Sequence, residues 1–135
     1  MNLKKVIFLV SFFIISLSGK SSFSKTLTDC QDMPDNASIG MCLDDVFKET
    51  DVQLNLKYQK LVSKLKTSSL EENKELLSRL VKAQRAWITF KDTTCELEGM
   101  QMYGGSGQGL QVLSCLLDMT EKRIEDLNRY QDFVF

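Results

Sequence analysis

The stretch Ala83–Cys115, AQRAWITFKDTTCELEGMQMYGGSGQGLQVLSC, sets helix-forming sequence on both sides of a glycine cluster, GGSGQG, with one cysteine on each flank. Before the cluster, Leu76, Leu80, Ala83, Trp87, Phe90, Thr94 and Leu97 recur at alternating spacings of four and three, which predicts one buried helical stripe. Leu77, Val81, Gln84, Ile88 and Cys95 widen that face, and Gly99 closes the helix. After the cluster, Leu110, Leu113, Leu117, Thr120, Ile124 and Leu127 carry the same pattern to about Tyr130, predicting a shorter helix.

Upstream, Leu43, Phe47, Thr50, Leu54, Tyr58, Leu61 and Leu65 form a third such stripe, so a first helix is expected over about 39–66. Asp35, Asn36 and Ser38, just after Pro34, can each accept the free amide hydrogens of its first turn. Lys66-Thr67-Ser68-Ser69 ends it, and Ser68 with Glu71, or Ser69 with Glu72, reads as a capping box for the next helix. Three amphipathic helices with short connections predict an all-α fold, an antiparallel up-down-up three-helix bundle. No strand pattern, internal repeat or low-complexity tract competes. The segment before Asp35 is expected to be irregular and tied down by Cys30.

The chain opens with Lys4 and Lys5 ahead of an apolar run from Val6 to Ile15 interrupted by Ser11 alone, with Ser22 and Ser24 beyond it. That is the pattern of a signal peptide, with cleavage expected after Ser24, leaving residues 25–135 as one helical domain. The run is too short to span a bilayer comfortably, and no later stretch could do so, so no stable membrane anchor is expected after cleavage. A soluble periplasmic or secreted bacterial protein follows. Residues 25–135 carry 14 basic and 18 acidic side chains, about −4 net, without the basic surplus of a nucleic-acid binder. All four cysteines, Cys30, Cys42, Cys95 and Cys115, lie in that domain, and an even count in a small exported chain predicts two disulfides rather than a zinc site. Counted from Ser68, Cys42 and Cys95 stand at the same height, and Cys115 joins them, so the disulfides gather at the end bearing the glycine loop. Of the three pairings, Cys30–Cys42 with Cys95–Cys115 is preferred, because each closes a short loop outside the helices; Cys42 with Cys95 fits the heights as well.

The chain has no histidine, which excludes Ser-His-Asp and Cys-His catalysis and histidine-bound zinc. Asp92, Glu96 and Glu98 crowd the end of the second helix, but with Arg85 and Thr89 the first two read as a solvated polar stripe rather than a glycosidase pair. GGSGQG lacks the Lys-Ser/Thr ending of a phosphate loop, and no strand precedes it. No enzyme, cofactor or metal is therefore expected. Trp87 and Tyr58 read as core anchors, and Gln84 with Arg85 as a buried polar clamp to a neighbouring helix. The loop residues Met100, Met102, Tyr103, Gly104, Gly105, Ser106 and Gln108 are the candidate contact surface for a protein partner. The alternative is that Met100, Met102 and Tyr103 cap the bundle end.

Several elements together resemble the lysozyme-inhibitor LprI-like family of small exported bacterial domains. They are Met41-Cys42, Asp51 with Leu54-Asn55-x-x-Tyr58-x-x-Leu61, Ala83-Gln84-Arg85-Ala86-Trp87-x-x-Phe90-x-Asp92-x-x-Cys95, Gly104-Gly105-Ser106, and Cys115-Leu116 with Thr120-x-x-Arg123-x-x-x-Leu127. The resemblance implies a secreted helical domain fastened by four cysteines, whose named representative inhibits lysozyme. It also implies structural roles for the motif residues Asn55, Tyr58, Gln84, Arg85, Trp87, Asp92 and Arg123. That representative is a lipoprotein, whereas this chain lacks the lipid-attachment cysteine. Lys91 stands where the pattern commonly has arginine, which softens any bidentate contact there. The function so implied is occlusion of a lysozyme cleft, with a cationic lysozyme as partner; the alternative is a structural or adaptor domain of the cell envelope.

Overall fold

The Asp35 carboxylate accepts the Ser38 backbone N–H at 2.8 Å and so caps α2, Asn36–Thr67, which makes it the cap among the three candidates. The computed structural model describes residues 27–134, and the expected signal peptide, residues 1–24, lies outside them. A short helix α1, Leu27–Gln31, precedes α2; then come α3, Glu71–Gly99, a single 3-10 turn, Met100–Met102, and α4, Gln108–Val134. The segment around Cys30 is thus helical rather than irregular, because its cysteine is fully buried and fastened to α2. The third long helix is nearly as long as the second, since its apolar pattern extends beyond Tyr130.

The expected capping box does not form. Leu70 occupies the cap position of α3 without a side-chain bond. Ser68 instead accepts from Asn73 Nδ2 at 2.7 Å and from the Leu70 amide at 3.3 Å, so its hydroxyl holds the turn closed and is not free for Glu71.

The three long helices run up, down and up, and α2 and α3 each pack mainly on α4 while touching one another least. The core lies in two parts. Leu54, Leu61, Val62, Leu65, Leu80 and Leu127 fill the turn end, with Tyr58, Trp87 and Tyr130 against them. Leu43, Val46, Leu117 and the Cys30–Cys42 bridge fill the other end. The stripes predicted for α2 and α4 are the ones buried. On α3 the stripe is displaced: Phe90 is 60% exposed and Leu97 71%, Ala83 is also exposed, and Lys91 lies inside. The reason is mechanical. Gln84 and Cys95, three turns apart, are both fastened to α4, and that pair of attachments sets the rotation of α3. Lys91 then falls on the inner face and its neighbour Phe90 about 100° away.

Both disulfides adopt the preferred pairing, Cys30–Cys42 and Cys95–Cys115, and no described cysteine is free. The height match of Cys42 with Cys95 is overridden because each faces a nearer partner. The Cys95–Cys115 bridge closes the longer loop, with a separation of 20 against 12. Replacing that pair by serines should cost about 3 kcal/mol by denaturant unfolding, more than the same change at Cys30 and Cys42.

The cap bond from Ser38 holds the Asp35 carboxyl below its ordinary value of 3.8. Its contribution is therefore complete above pH 3.8 and lost as pH falls through the lowered value. Thermal melting should accordingly find Asp35→Ala less stable than the natural chain at neutral pH, with the difference shrinking in acid below that range.

Candidate functional site

Two features stand out against the plain helical frame, one inside it and one at its end. Inside, aromatic rings and cations alternate across all three long helices. The Lys91 ammonium lies 5.3 Å from the Phe47 ring centre and 5.5 Å from that of Trp87. The Arg123 guanidinium follows, 5.6 Å from Trp87 and 5.8 Å from Tyr130. Each buried cation thus sits between two aromatic faces, whose negative quadrupoles replace part of its lost hydration.

Hydrogen bonds complete the arrangement. Arg123 Nε donates to Gln84 Oε1 at 3.0 Å and Nη1 pairs with Asp126 at 3.6 Å, while Nη2 has no hydrogen-bond partner among the described residues. Lys91 pairs with Asp92 at 3.2 Å. Gln84 is therefore the clamp to α4 expected from its position, whereas Arg85 is exposed and takes no part in it. The clamp's other arm is Arg123. Asn55 donates from Nδ2 to the Asp51 carboxylate at 2.9 Å on the surface of α2. Sequence reasoning missed Lys91 as a buried residue; its position seven before Glu98 and four before Cys95, on the face of a fixed cysteine, was the available signal.

The second feature is the glycine segment at the disulfide end. Gly104 has φ +74, a conformation that side chains rarely adopt. The segment is closely bonded: Gly105 N–H donates to Met102 O at 3.0 Å, Gly104 N–H to Gln108 Oε1 at 3.2 Å, and Asn36 Nδ2 to Ser106 Oγ at 3.1 Å. The last bond ties the loop to the start of α2. A Cβ on Gly107 would stand 2.6 Å from Met102 Sδ, and one on Gly99 2.5 Å from Val112 Cγ2, so two of the glycines serve close approach. Against this ordered backbone, Met100 and Met102 are each 51% exposed and Tyr103 76%, with Met41 and Leu97 exposed at the same end.

Charge is divided along the bundle. Residues 27–51 and 88–122, the disulfide half, hold twelve acidic and three basic side chains, a net of −9. Residues 52–87 and 123–134 hold six acidic and ten basic, a net of +4. The exposed Met100, Met102 and Tyr103 thus lie in the strongly acidic half. At the opposite end a pocket of about 200 Å³ opens between Leu61, Leu65, Leu76, Leu80, Ala83, Arg79 and Tyr130, an apolar recess without a carboxylate or hydroxyl nucleophile apart from the tyrosine. No described helix is long and apolar enough to cross a membrane.

Comparison with known proteins gives a family match and two relatives. The family described as lysozyme inhibitor LprI matches residues 28–127. An uncharacterized protein of Rhizobium meliloti (strain 1021) is 32% identical over 114 residues, 77% of this chain and 79% of that protein. The uncharacterized protein YecT of Escherichia coli (strain K12) is 30% identical over 102 residues, 70% of this chain and 63% of the relative's own length. No solved structure matches.

The cation and ring alternation gives a direct test of the displaced α3 stripe. Trp87→Ala should cost about 3 to 5 kcal/mol in dilute solution, because it removes a core ring and uncovers two buried cations. Phe90→Ala, three residues on and equally apolar, should change stability by no more than about 0.5 kcal/mol.

Proposed function

Because the chain belongs to the lysozyme inhibitor LprI family, we propose that it is an exported, non-enzymatic protein that binds a lysozyme and occludes its cleft with the glycine-loop end. The observation that carries this reading is the coincidence of Met100, Met102 and Tyr103 with the pole of net −9. A cationic lysozyme is attracted to that pole over several ångströms before contact, which raises the rate of productive encounter. Tyrosine and methionine then supply the apolar anchors that desolvated interface centres favour. The backbone bonds of the loop and the Cys95–Cys115 bridge hold those anchors before binding, so little ordering entropy remains to be lost. Inhibition of this kind needs no nucleophile, cofactor or metal from the inhibitor.

The test is a muramidase assay with the purified protein titrated against chicken-type, goose-type and invertebrate-type lysozymes. At least one should be inhibited, with association slowed by added salt. Tyr103→Ala should weaken that inhibition by about 1 to 3 kcal/mol in binding free energy while leaving the melting temperature unchanged. No inhibition of any of the three at micromolar excess would remove this reading in favour of an envelope adaptor. A fall in melting temperature at unchanged affinity would instead make the loop a packing element.

A further inference from the structure

The outer flank of α3 has a regular pattern of its own. Ala83, Ala86, Phe90, Thr93 and Leu97 recur at spacings of three and four over two heptads, and all five are exposed. That is the a/d seam of a coiled coil on a helix whose core face lies elsewhere. Along its solvent side runs a second series at seven-residue spacing, Lys82, Thr89 and Glu96, also exposed.

We propose that this flank is a self-association surface, through which α3 pairs antiparallel with α3 of a second copy about a two-fold axis beside Thr89. Charge selects the partner. In that register Lys82 of one copy meets Glu96 of the other, and by symmetry Glu96 meets Lys82, so both pairs are attractive, with Thr89 facing Thr89 between them. A parallel pairing would instead set Lys82 against Trp87 and Thr89 against Thr94 of the other copy, and leave both Lys82 and Glu96 without an opposite charge. Neither residue has an ion-pair partner among the described residues, whereas Arg79 is already paired with Glu75 and Lys74 with Glu71. Shape agrees with charge. The same register places the large Phe90 ring over the second copy's Ala86 and Ala83 over its Thr93, so each bulky knob faces a small residue. One helix per copy makes a small interface, and the dimer is accordingly a weak, concentration-dependent one.

Sedimentation equilibrium of the full chain across a concentration series tests this. The weight-average mass should rise from monomer towards dimer. Phe90→Asp should abolish the rise without lowering the melting temperature, since the ring is exposed. Lys82→Glu should weaken dimerisation about tenfold, and Lys82→Glu combined with Glu96→Lys should restore it to near the natural strength. A monomer at every concentration would overturn the proposal and leave the flank to a different protein. So would a dimer that survives Phe90→Asp, or a double exchange that fails to restore what the single change removed.

Discussion

Two cations buried between aromatic faces hold the three long helices in one arrangement. Lys91 rests between Phe47 of α2 and Trp87 of α3, and Arg123 of α4 between Trp87 and Tyr130, so the indole is shared by both. Burying a charge is costly unless it is paired, and here every partner comes from a defined direction: Asp92 and two rings for Lys91, Gln84, Asp126 and two rings for Arg123. Such a set tolerates little rotation of any helix, because turning α3 by one residue would expose Lys91 and bury Phe90. Apolar stripes alone would permit several rotations at similar energy. The contacts made by Gln84, Trp87 and Arg123 choose among them.

The rotation so chosen has effects at both exposed surfaces. With Gln84 and Cys95 turned towards α4, Gly99 arrives against Val112, and a side chain there would collide. The chain can then cross to α4 through one 3-10 turn and a glycine segment that bonds to itself and to Asn36. Met100, Met102 and Tyr103 are left outward because the core at that end is already filled by the Cys30–Cys42 bridge with Leu43, Val46 and Leu117. The same rotation turns Phe90 and Leu97 out along the flank. The exposed apolar groups on α3 and in the turn that follows it are thus consequences of where the polar anchors of α3 lie.

Much of the frame was legible in the amino-acid sequence because local rules act there without competition. The stripes of α2 and α4 and the cap at Asp35 each follow from spacing and backbone chemistry over a few residues, whereas Gly99 ends α3 in right-handed helical backbone and is a glycine because Val112 lies against it. The disulfide pairing was legible too, since short loops outside helices favour near neighbours. The face of α3 was not. Phe90 and Leu97 fit a period of 3.5 better than Lys91 does, and only the distant contacts of Gln84 and Cys95 decide between them. The capping box at Ser68 failed for a similar reason, as Asn73 claims the same hydroxyl. At the loop, the hydrogen bonds and the close contacts of Gly99 and Gly107 define an ordered connection, and glycine content alone does not reveal them. The charge division was present in the residues all along, but it acquires meaning only when antiparallel helices bring 27–51 beside 88–122.

The proposed inhibition rests on the acidic, apolar end being the face that meets a lysozyme. Amide hydrogen exchange of the protein, measured with and without an inhibited lysozyme, addresses that face directly. Slowed exchange is expected over residues 97–108 and at the adjoining start of α2, with the turn end around 61–83 unchanged. Slowed exchange centred on the turn end, or along the α3 flank with the loop unaffected, would contradict it.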